Sequence, residues 1–233
     1  MVDDEKIICY INEDELKRNT LKKGFYNFQF DISYDWYDEL EKYSYLNKPI
    51  YYIFEGITFD KSISISSKLK TLISVCFKDC VFTKGVWISD VQNVIFESNT
   101  CSDLDVFNVN NVKNLKFLND NAVNCYEVKE SKMDINFMAD KIEMNNSWIK
   151  VNSYSNSEVN INGLNTIIRN STVEGEFVYV SSYNLDIDNS SKLVGNRFVG
   201  VLSKNDNVSL ENVDTPCYVN NEDDYESSNK RKK

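Results

Sequence analysis

An apolar-x-apolar pair of residues recurs along the chain with steps of 18 to 26 residues. Both members of such a pair lie on the same side of a β-strand, because successive strand residues point to opposite sides. The eight pairs are Ile57/Phe59, Val75/Phe77, Val94/Phe96, Leu115/Phe117, Ile135/Phe137, Val159/Ile161, Leu185/Ile187 and Val208/Leu210. A second apolar strand follows several of them after 13 or 14 residues, as Ile88 follows Val75. The pattern predicts a chain built from many short strands, each with one buried side.

This spacing is typical of a parallel β-helix, in which two inward strands per turn of about 21 residues pair with the coils above and below. A β-sandwich has no reason to keep a constant offset between its strands. A leucine-rich repeat would place Leu at fixed positions, and a pentapeptide or hexapeptide solenoid would keep a strict five- or six-residue period. We therefore predict a mainly β fold, a parallel β-helix (β-solenoid) of about seven to eight coils over residues 50–220.

Asparagine is the residue expected at the corners between the strands. Between positions 91 and 212 there are 24 Asn, whereas the whole chain has only seven Gly. Asn tolerates the left-handed backbone conformation that tight corners need, and stacked Asn side chains can hydrogen-bond between coils. The composition also supports strands, because the chain has 22 Val and 19 Ile against two Ala, and β-branched residues favour strands.

Two sequence blocks carry a resemblance to a known family. NVIFESNTCSDLDVFNVNN and NLKFLNDNAVNCYEVKESK each contain an inward apolar-x-Phe strand, a polar corner and a second strand. In this arrangement, over roughly residues 50–220, the chain resembles the pectin-lyase-like single-stranded parallel β-helix superfamily. The resemblance concerns architecture only, and it implies that the coil is right-handed.

The two ends of the chain differ from the repeat. Residues 1–49 are predicted to form a small α+β lobe that caps the open end of the solenoid, because exposed coil edges invite end-to-end pairing. Helices are expected at Glu13–Lys23 and at about Asp35–Leu46, with short strands in IICYI and FYNFQF. Residues 221–233 are polar and charged and are predicted to be disordered.

The residues needed for most enzymatic chemistry are missing. The chain has no His, which excludes Ser-His-Asp and Cys-His catalysis and imidazole acid–base chemistry. Its six Cys contain no C-x-x-C pair, so we interpret them as small buried hydrophobic residues rather than metal ligands. A glycine-rich phosphate loop is also missing. We therefore predict no metal, no cofactor and no catalytic residue.

Carboxylates remain the only groups that could support catalysis. Three i, i+2 pairs could each project from one side of a strand, and paired carboxylates serve in glycoside hydrolysis. The pairs are Asp103/Asp105, Glu174/Glu176 and Asp186/Asp188. The resemblance would imply an Arg base beside calcium-binding Asp residues, or clustered Asp with a nearby His. With four Arg and no His the chain departs from both arrangements, so we take the pairs as candidates for binding.

The formal net charge of −10 limits the kind of partner. General binders of nucleic acid or of anionic membranes need a positive patch, so neither kind of binding is expected. A basic protein surface is permitted, including that of a nucleic-acid-binding protein or ribonucleoprotein. The start MVDDEKIICYINEDEL lacks the apolar run of a signal peptide, and we expect a cytoplasmic location, in the host cell if the protein is viral.

Aromatic residues near the start of the chain give a further candidate for binding. Trp36 and Tyr37 lie among acidic residues in SYDWYDELEKYSY. There they suit either a protein-binding surface or the core of the capping lobe.

These features favour a non-catalytic acidic module that binds a basic protein surface, one form being a phage-type anti-defence (anti-CRISPR) inhibitor. The AT-rich coding implied by 22 Lys against four Arg fits a low-GC bacterium, its phages, or some viruses and protists. Two alternatives remain open. One is a carboxylate-dependent polysaccharide lyase or hydrolase of the β-helix type, and the other is a structural solenoid that self-assembles into an oligomer.

Overall fold

The computed structural model describes residues 7–11, 49–59, 62–66, 73–102, 104, 106–119, 121–124, 134–151, 158–207, 213–214 and 217–221. These residues form eighteen β-strands and no helix. The strands are β1 (Ile7–Ile11), β2 (Ile50–Glu55), β3 (Thr58–Phe59), β4 (Ile63–Ser66), β5 (Ile73–Lys78), β6 (Val81–Phe82), β7 (Val86–Ser89), β8 (Asn93–Glu97), β9 (Thr100–Ser102), β10 (Val106–Leu118), β11 (Asn121–Asn124), β12 (Asp134–Asn145), β13 (Trp148–Lys150), β14 (Glu158–Arg169), β15 (Thr172–Ile187), β16 (Lys192–Asn207), β17 (Val213–Asp214) and β18 (Cys217–Asn221).

Every pairing among these strands is parallel, and each strand pairs with the equivalent strand of the next coil. The predicted β-solenoid is therefore confirmed, because a β-sandwich would require antiparallel strands. The described residues make about six turns. The predicted count of seven to eight coils included Val208 and Leu210, which lie outside the described residues.

Each turn has three strands, so the coils stack into three parallel sheets. Sheet 1 contains β1, β2, β5, β8, the second halves of β10, β12 and β14, and the ends of β15 and β16. Sheet 2 contains β3, β6, β9, β11, β13, the starts of β15 and β16, and β17. Sheet 3 contains β4, β7, the first halves of β10, β12 and β14, the middle of β15 and β16, and β18.

The expectation of two strands per turn was wrong. The strands of sheet 2 are short, and Val81–Phe82 gives only one buried residue, Phe82, which is too little for an alternating pattern to detect. The apolar pairs also do not occupy one equivalent position. Val75/Phe77 lies in sheet 1, whereas Ile135/Phe137 lies in sheet 3.

The core is a column of side chains that repeats the spacing of the coils. The rings of Phe54, Phe77, Phe96 and Phe117 stack in sequence, with centroids 5.0, 5.4 and 5.1 Å apart. This separation is close to the distance of about 4.8 Å between neighbouring strands, so each ring packs on the equivalent ring of the next coil. Phe82 fills the space beside this stack with an edge contact to Phe77 at 5.3 Å.

The corners confirm the role predicted for Asn. In the described ranges, four of the seven non-glycine residues with positive φ are Asn, and three of these, Asn119, Asn146 and Asn170, follow strands of sheet 1. The Asn146 amide donates to Asn119 Oδ1 at 3.1 Å, and the Asn170 amide donates to Asn146 Oδ1 at 2.6 Å. The side chain that permits the sharp bend therefore also bonds one coil to the next.

A buried polar residue follows several of these corners, and its side chain forms hydrogen bonds with backbone N–H and carbonyl groups inside the turn. Asn99 Oδ1 accepts from the backbone N–H of Cys80 at 2.9 Å, and the Asn99 amide donates to the Phe77 carbonyl at 2.9 Å. Ser171 Oγ accepts from the Ser147 N–H at 3.0 Å in the same way. These bonds connect successive coils at positions that water does not reach.

The predicted strand IICYI is confirmed as β1, which pairs in parallel with β2 from Ile7 opposite Ile50 to Ile11 opposite Phe54. Residues 12–48, with both predicted helices and FYNFQF, and residues 222–233 lie outside the described residues. Within the described ranges there is no apolar helix of membrane-spanning length.

Replacement of Asn99 tests the buried polar position. Asn99→Ala should lower the free energy of unfolding by about 2–4 kcal/mol, because the Cys80 N–H and the Phe77 carbonyl lose a partner inside the core. Urea denaturation followed by circular dichroism measures the change. Asn110→Ala, at an exposed position of sheet 3, is the matched control and should cost less than about 0.5 kcal/mol. Equal losses in the two variants would show that Asn99 has no special structural role.

Candidate functional site

Four of the eight residues predicted to form a binding site lie in the described part of the chain. Asp103, Asp105, Trp36 and Tyr37 are outside it. The other four are Glu174, Glu176, Asp186 and Asp188. Each of these carboxylates has a partner within the solenoid.

Glu174 lies on the outer side of sheet 2 and binds the preceding coil. Its carboxylate is 2.7 Å from Lys150 Nζ, and the two residues face each other in register. The same Lys150 ammonium lies 5.6 Å from the centroid of the Trp148 ring. Glu174 is therefore part of a local ion pair and cation–π contact between coils.

Glu176 does not project beside Glu174. The register between β15 and β16 shifts between Gly175 and Phe177, where the chain turns from sheet 2 to sheet 3. Gly175 and Glu176 are both buried at this bend, and the Glu176 side chain is 9% exposed, with Oε1 2.6 Å from Arg197 Nε. The i, i+2 spacing that predicted a shared strand face is thus broken by the bend between the two sheets.

Asp186 and Asp188 are brought together around one cation, Arg169. The Arg169 guanidinium binds the Asp186 carboxylate and also donates to the Asp186 backbone carbonyl at 3.1 Å. The hydrogen bond from Arg169 to Asp186 raises the pKa of the guanidinium, and the negative charges of Asp186 and Asp188 act in the same direction. An arginine held in this way stays protonated, which disfavours a lyase mechanism with Arg169 as the base.

Asp188 caps the corner that follows β15. Its carboxylate accepts hydrogen bonds from the Ser191 hydroxyl and, at 3.1 Å, from the backbone N–H of Asn170 on the preceding coil. Burial opposes ionisation, but the hydrogen bonds from Ser191, Asn170 and Ser190 and the positive charge of Arg169 together outweigh it and lower the pKa of Asp188. Asp188 therefore has a structural role at the corner after sheet 1, where Asn119, Asn146 and Asn170 are hydrogen-bonded to one another on the preceding coils.

The cysteines and the acidic residues of the described part form no group of three or more side chains that could hold a metal ion. Cys80 is a free thiol. Cys80 is buried, as predicted, and burial raises the pKa of its thiol. Cys76 instead points outward from sheet 1, because it alternates with the buried Val75 and Phe77.

Sheet 3 carries a surface feature of a different kind. Among the described residues, six of the eight large hydrophobic side chains that are exposed lie on its outer side or at the bend that leads to sheet 1. They are Trp87, Met138, Leu164, Tyr179, Tyr183 and Leu202. Isolated exposed hydrophobic residues are ordinary, whereas a concentration on one side marks an interaction surface.

This apolar character increases toward the last coils. Phe177 and Tyr179 point outward from β15, and Phe198 and Leu202 point outward from the neighbouring β16. We call these four residues, together with Leu164 and Tyr183 at the adjacent bend, the apolar patch.

The earlier coils of sheet 3 present smaller or polar residues at many of the equivalent positions. The outward residues there include Ser64, Ser89 and Asn108. The Asn160 amide donates to Asn136 Oδ1 at 3.1 Å, so neighbouring coils are bonded on this side as well.

The apolar patch was not predicted from the sequence. Its signal is present in the runs Phe177–Val180 and Phe198–Leu202, which are apolar on both sides of the strand apart from Gly200. In a solenoid strand, where one side already faces the core, such a run indicates that the outer side is apolar too.

A comparison of the chain with protein-family models, with curated proteins and with solved structures finds no match in any of the three.

Asp188→Asn should change the dependence of stability on pH. Because the pKa of Asp188 is lower in the fold than in the unfolded chain, its ionised form stabilises the fold above about pH 4. This contribution is lost as the pH falls through the lower folded pKa. The variant should therefore show a shallower fall of Tm between about pH 4 and pH 2 than the parent protein, as measured by thermal denaturation.

Asp140→Asn, at an exposed bend, is the control for the removal of one negative charge. It should keep the acid dependence of the parent protein. An identical acid dependence in the Asp188→Asn variant and the parent would contradict the role assigned to Asp188.

Proposed function

We propose that this chain is a non-catalytic protein-binding module that contacts its partner through the outer side of sheet 3. The observation that carries the proposal is the concentration of exposed large hydrophobic side chains on that side. Aromatic residues and Met are enriched at protein interfaces, where they give a large contact area. Tyr, Ser, Asn and Gly, which also occur on this side, are typical of adaptable recognition surfaces.

The construction of the sheet supports the same function. The strands of β14, β15 and β16 pair along most of their length, so their outward side chains project from a backbone fixed on both sides. A surface that is already ordered loses less conformational entropy on binding than a loop does. A protein partner would therefore meet a preorganised surface.

The expected partner is basic. The chain has a formal net charge of −10, and Asp140 and Glu158 lie at the outer edge of sheet 3, on coils next to the apolar patch. Complementary charge increases the rate of association and rejects wrong partners. A nucleic-acid-binding protein or ribonucleoprotein meets this requirement, and an anti-defence inhibitor that occupies a nucleic-acid channel would be one form of the module.

The polysaccharide lyase or hydrolase and the self-assembling solenoid have less support. The described candidate carboxylates are bound to Lys150, Arg197, Arg169 and the corner at Asn170, and such contacts compete with a catalytic role. Self-assembly through sheet 3 would bring together two copies of an acidic chain, and like charges oppose that contact.

Affinity capture with matched variants tests the proposal. The tagged chain is compared with the triple variant Met138→Ser, Tyr179→Ser, Leu202→Ser on sheet 3 and with Trp148→Ser on sheet 2. Trp148 is the control because it is an exposed aromatic residue on another side of the solenoid. After capture from cells of the source organism, the partner is identified by mass spectrometry and its affinity is measured with purified components.

The triple variant should bind the partner at least about 30-fold more weakly, because loss of central apolar contacts typically costs 2 kcal/mol or more. Trp148→Ser should change the affinity by less than about threefold. Association should also slow as salt is added. An acidic partner, or equal losses in both variants, would overturn the proposal.

A further inference from the structure

An open groove crosses the apolar patch between β15 and β16. Its volume is about 360 Å³. The rings of Tyr179 and Phe198 form one wall, Leu202 forms the other, and Gly200 lies between them. Small apolar sites in proteins begin at about this size, so the groove suits one large side chain with the adjoining backbone.

Gly200 gives the groove its depth. Gly200 faces Tyr179 in the register of sheet 3, at an outward position that holds Asn108, Asn136 and Asn160 on earlier coils. A Cβ atom at Gly200 would lie only 2.9 Å from Phe198 Cε1 and 3.0 Å from Tyr179 Cδ1. The lack of a side chain at Gly200 therefore leaves room for the two rings to meet at the wall of the groove, with centroids 5.7 Å apart and planes inclined by 45°.

The chemistry of the groove determines what it can bind. Its walls are aromatic and aliphatic, so burial of an apolar group is favoured there and burial of an isolated charge is not. The charged residues near it are Glu158, which points outward next to Phe177, and Arg197, whose positive charge is paired with Glu176 at 2.6 Å. The Glu158 carboxylate and the apolar walls together match a ligand with an apolar centre and positively charged flanks.

We infer that this groove anchors one aromatic or large aliphatic side chain of the partner, carried on a segment with Lys or Arg on either side. The inference rests on the proposed function, since it names the part of sheet 3 that gives specificity. The groove is a single anchor point within a larger surface, as is usual for a residue that dominates binding energy. The net charge of −10 favours a basic protein over a second copy of the chain as the occupant.

The test uses a library of random peptides displayed on phage and selected on the full chain. The enriched peptides are synthesised, and their affinities are measured for three proteins. These are the parent chain, Gly200→Leu, which places a side chain in the groove, and Thr100→Leu, which adds the same side chain at an exposed position of sheet 2. Thermal melts verify that both variants fold.

Gly200→Leu is expected to fold, because the atoms next to the new Cβ belong to the ring edges of two partly exposed side chains that can rotate. If it does not fold, Tyr179→Ser, which removes a wall of the groove, takes its place.

The enriched peptides should share one Trp, Phe or Leu flanked by Lys or Arg. Their affinity should fall at least about tenfold for Gly200→Leu and change less than about twofold for Thr100→Leu. Peptides that lack a large apolar residue, or that bind Gly200→Leu as well as the parent, would overturn the anchor.

Two further results separate the anchor from the proposed function. If binding is lost in Trp87→Ser or Met138→Ser but not in Gly200→Leu, sheet 3 binds proteins and the anchor lies elsewhere on it. If no enriched peptide depends on any of these residues, both proposals fail. Sedimentation also tests whether the chain forms a dimer. A dimer that is dissociated by Gly200→Leu would show that a second copy of the chain occupies the groove, and it would contradict the inference of a basic partner.

Discussion

The structure depends on the in-register stacking of parallel coils at the spacing of hydrogen-bonded strands. Because every coil repeats at about 4.8 Å, each residue has an equivalent residue directly above and below it. Any residue type placed in such a column must interact well with its equivalents. Phe54, Phe77, Phe96 and Phe117 meet this requirement by ring stacking, and Asn119, Asn146 and Asn170 meet it by amide hydrogen bonds. No coil could bury these groups alone, so stability is shared between neighbours.

The same constraint explains the position of the charges. A column of like charges would be repulsive, and the outer side of sheet 1 instead alternates in sign, with Lys78 in register between Glu55 and Glu97. The ion pair with Glu55, 2.9 Å long, is the largest cause of the raised pKa of Lys78, and Glu97 adds to it. Glu174 with Lys150 follows the same rule on sheet 2. The candidate carboxylates in the described part of the chain are thus, in this fold, partners of a neighbouring coil.

The sequence predicts those features that repeat and leaves out those that depend on register. Inward pairs such as Val94/Phe96 and the abundance of Asn were enough for the solenoid and its corners. The third strand of each turn was not predicted, because a two-residue strand such as Val81–Phe82 is too short to show an alternating pattern. The burial of Glu176 depends on the bend between sheet 2 and sheet 3, where Gly175 and Glu176 are both buried. The groove required knowledge that Gly200 faces Tyr179, and residues 21 positions apart reveal this only once the coils are aligned.

The corners after sheet 1 also show how much freedom the stack leaves. Consecutive left-handed residues there are separated by 19 residues from Asp79 to Ser98 but by 27 from Asn119 to Asn146, while the strands of successive coils stay parallel. On the later coils the circuit takes 19 residues from Ile167 to Asp186 and 21 from Asp186 to Asn207. One of the two additional residues lies at the register shift, where one residue separates Gly175 from Phe177 but two separate Gly195 from Phe198. The length of a turn can therefore change at its bends without altering the strands that stack.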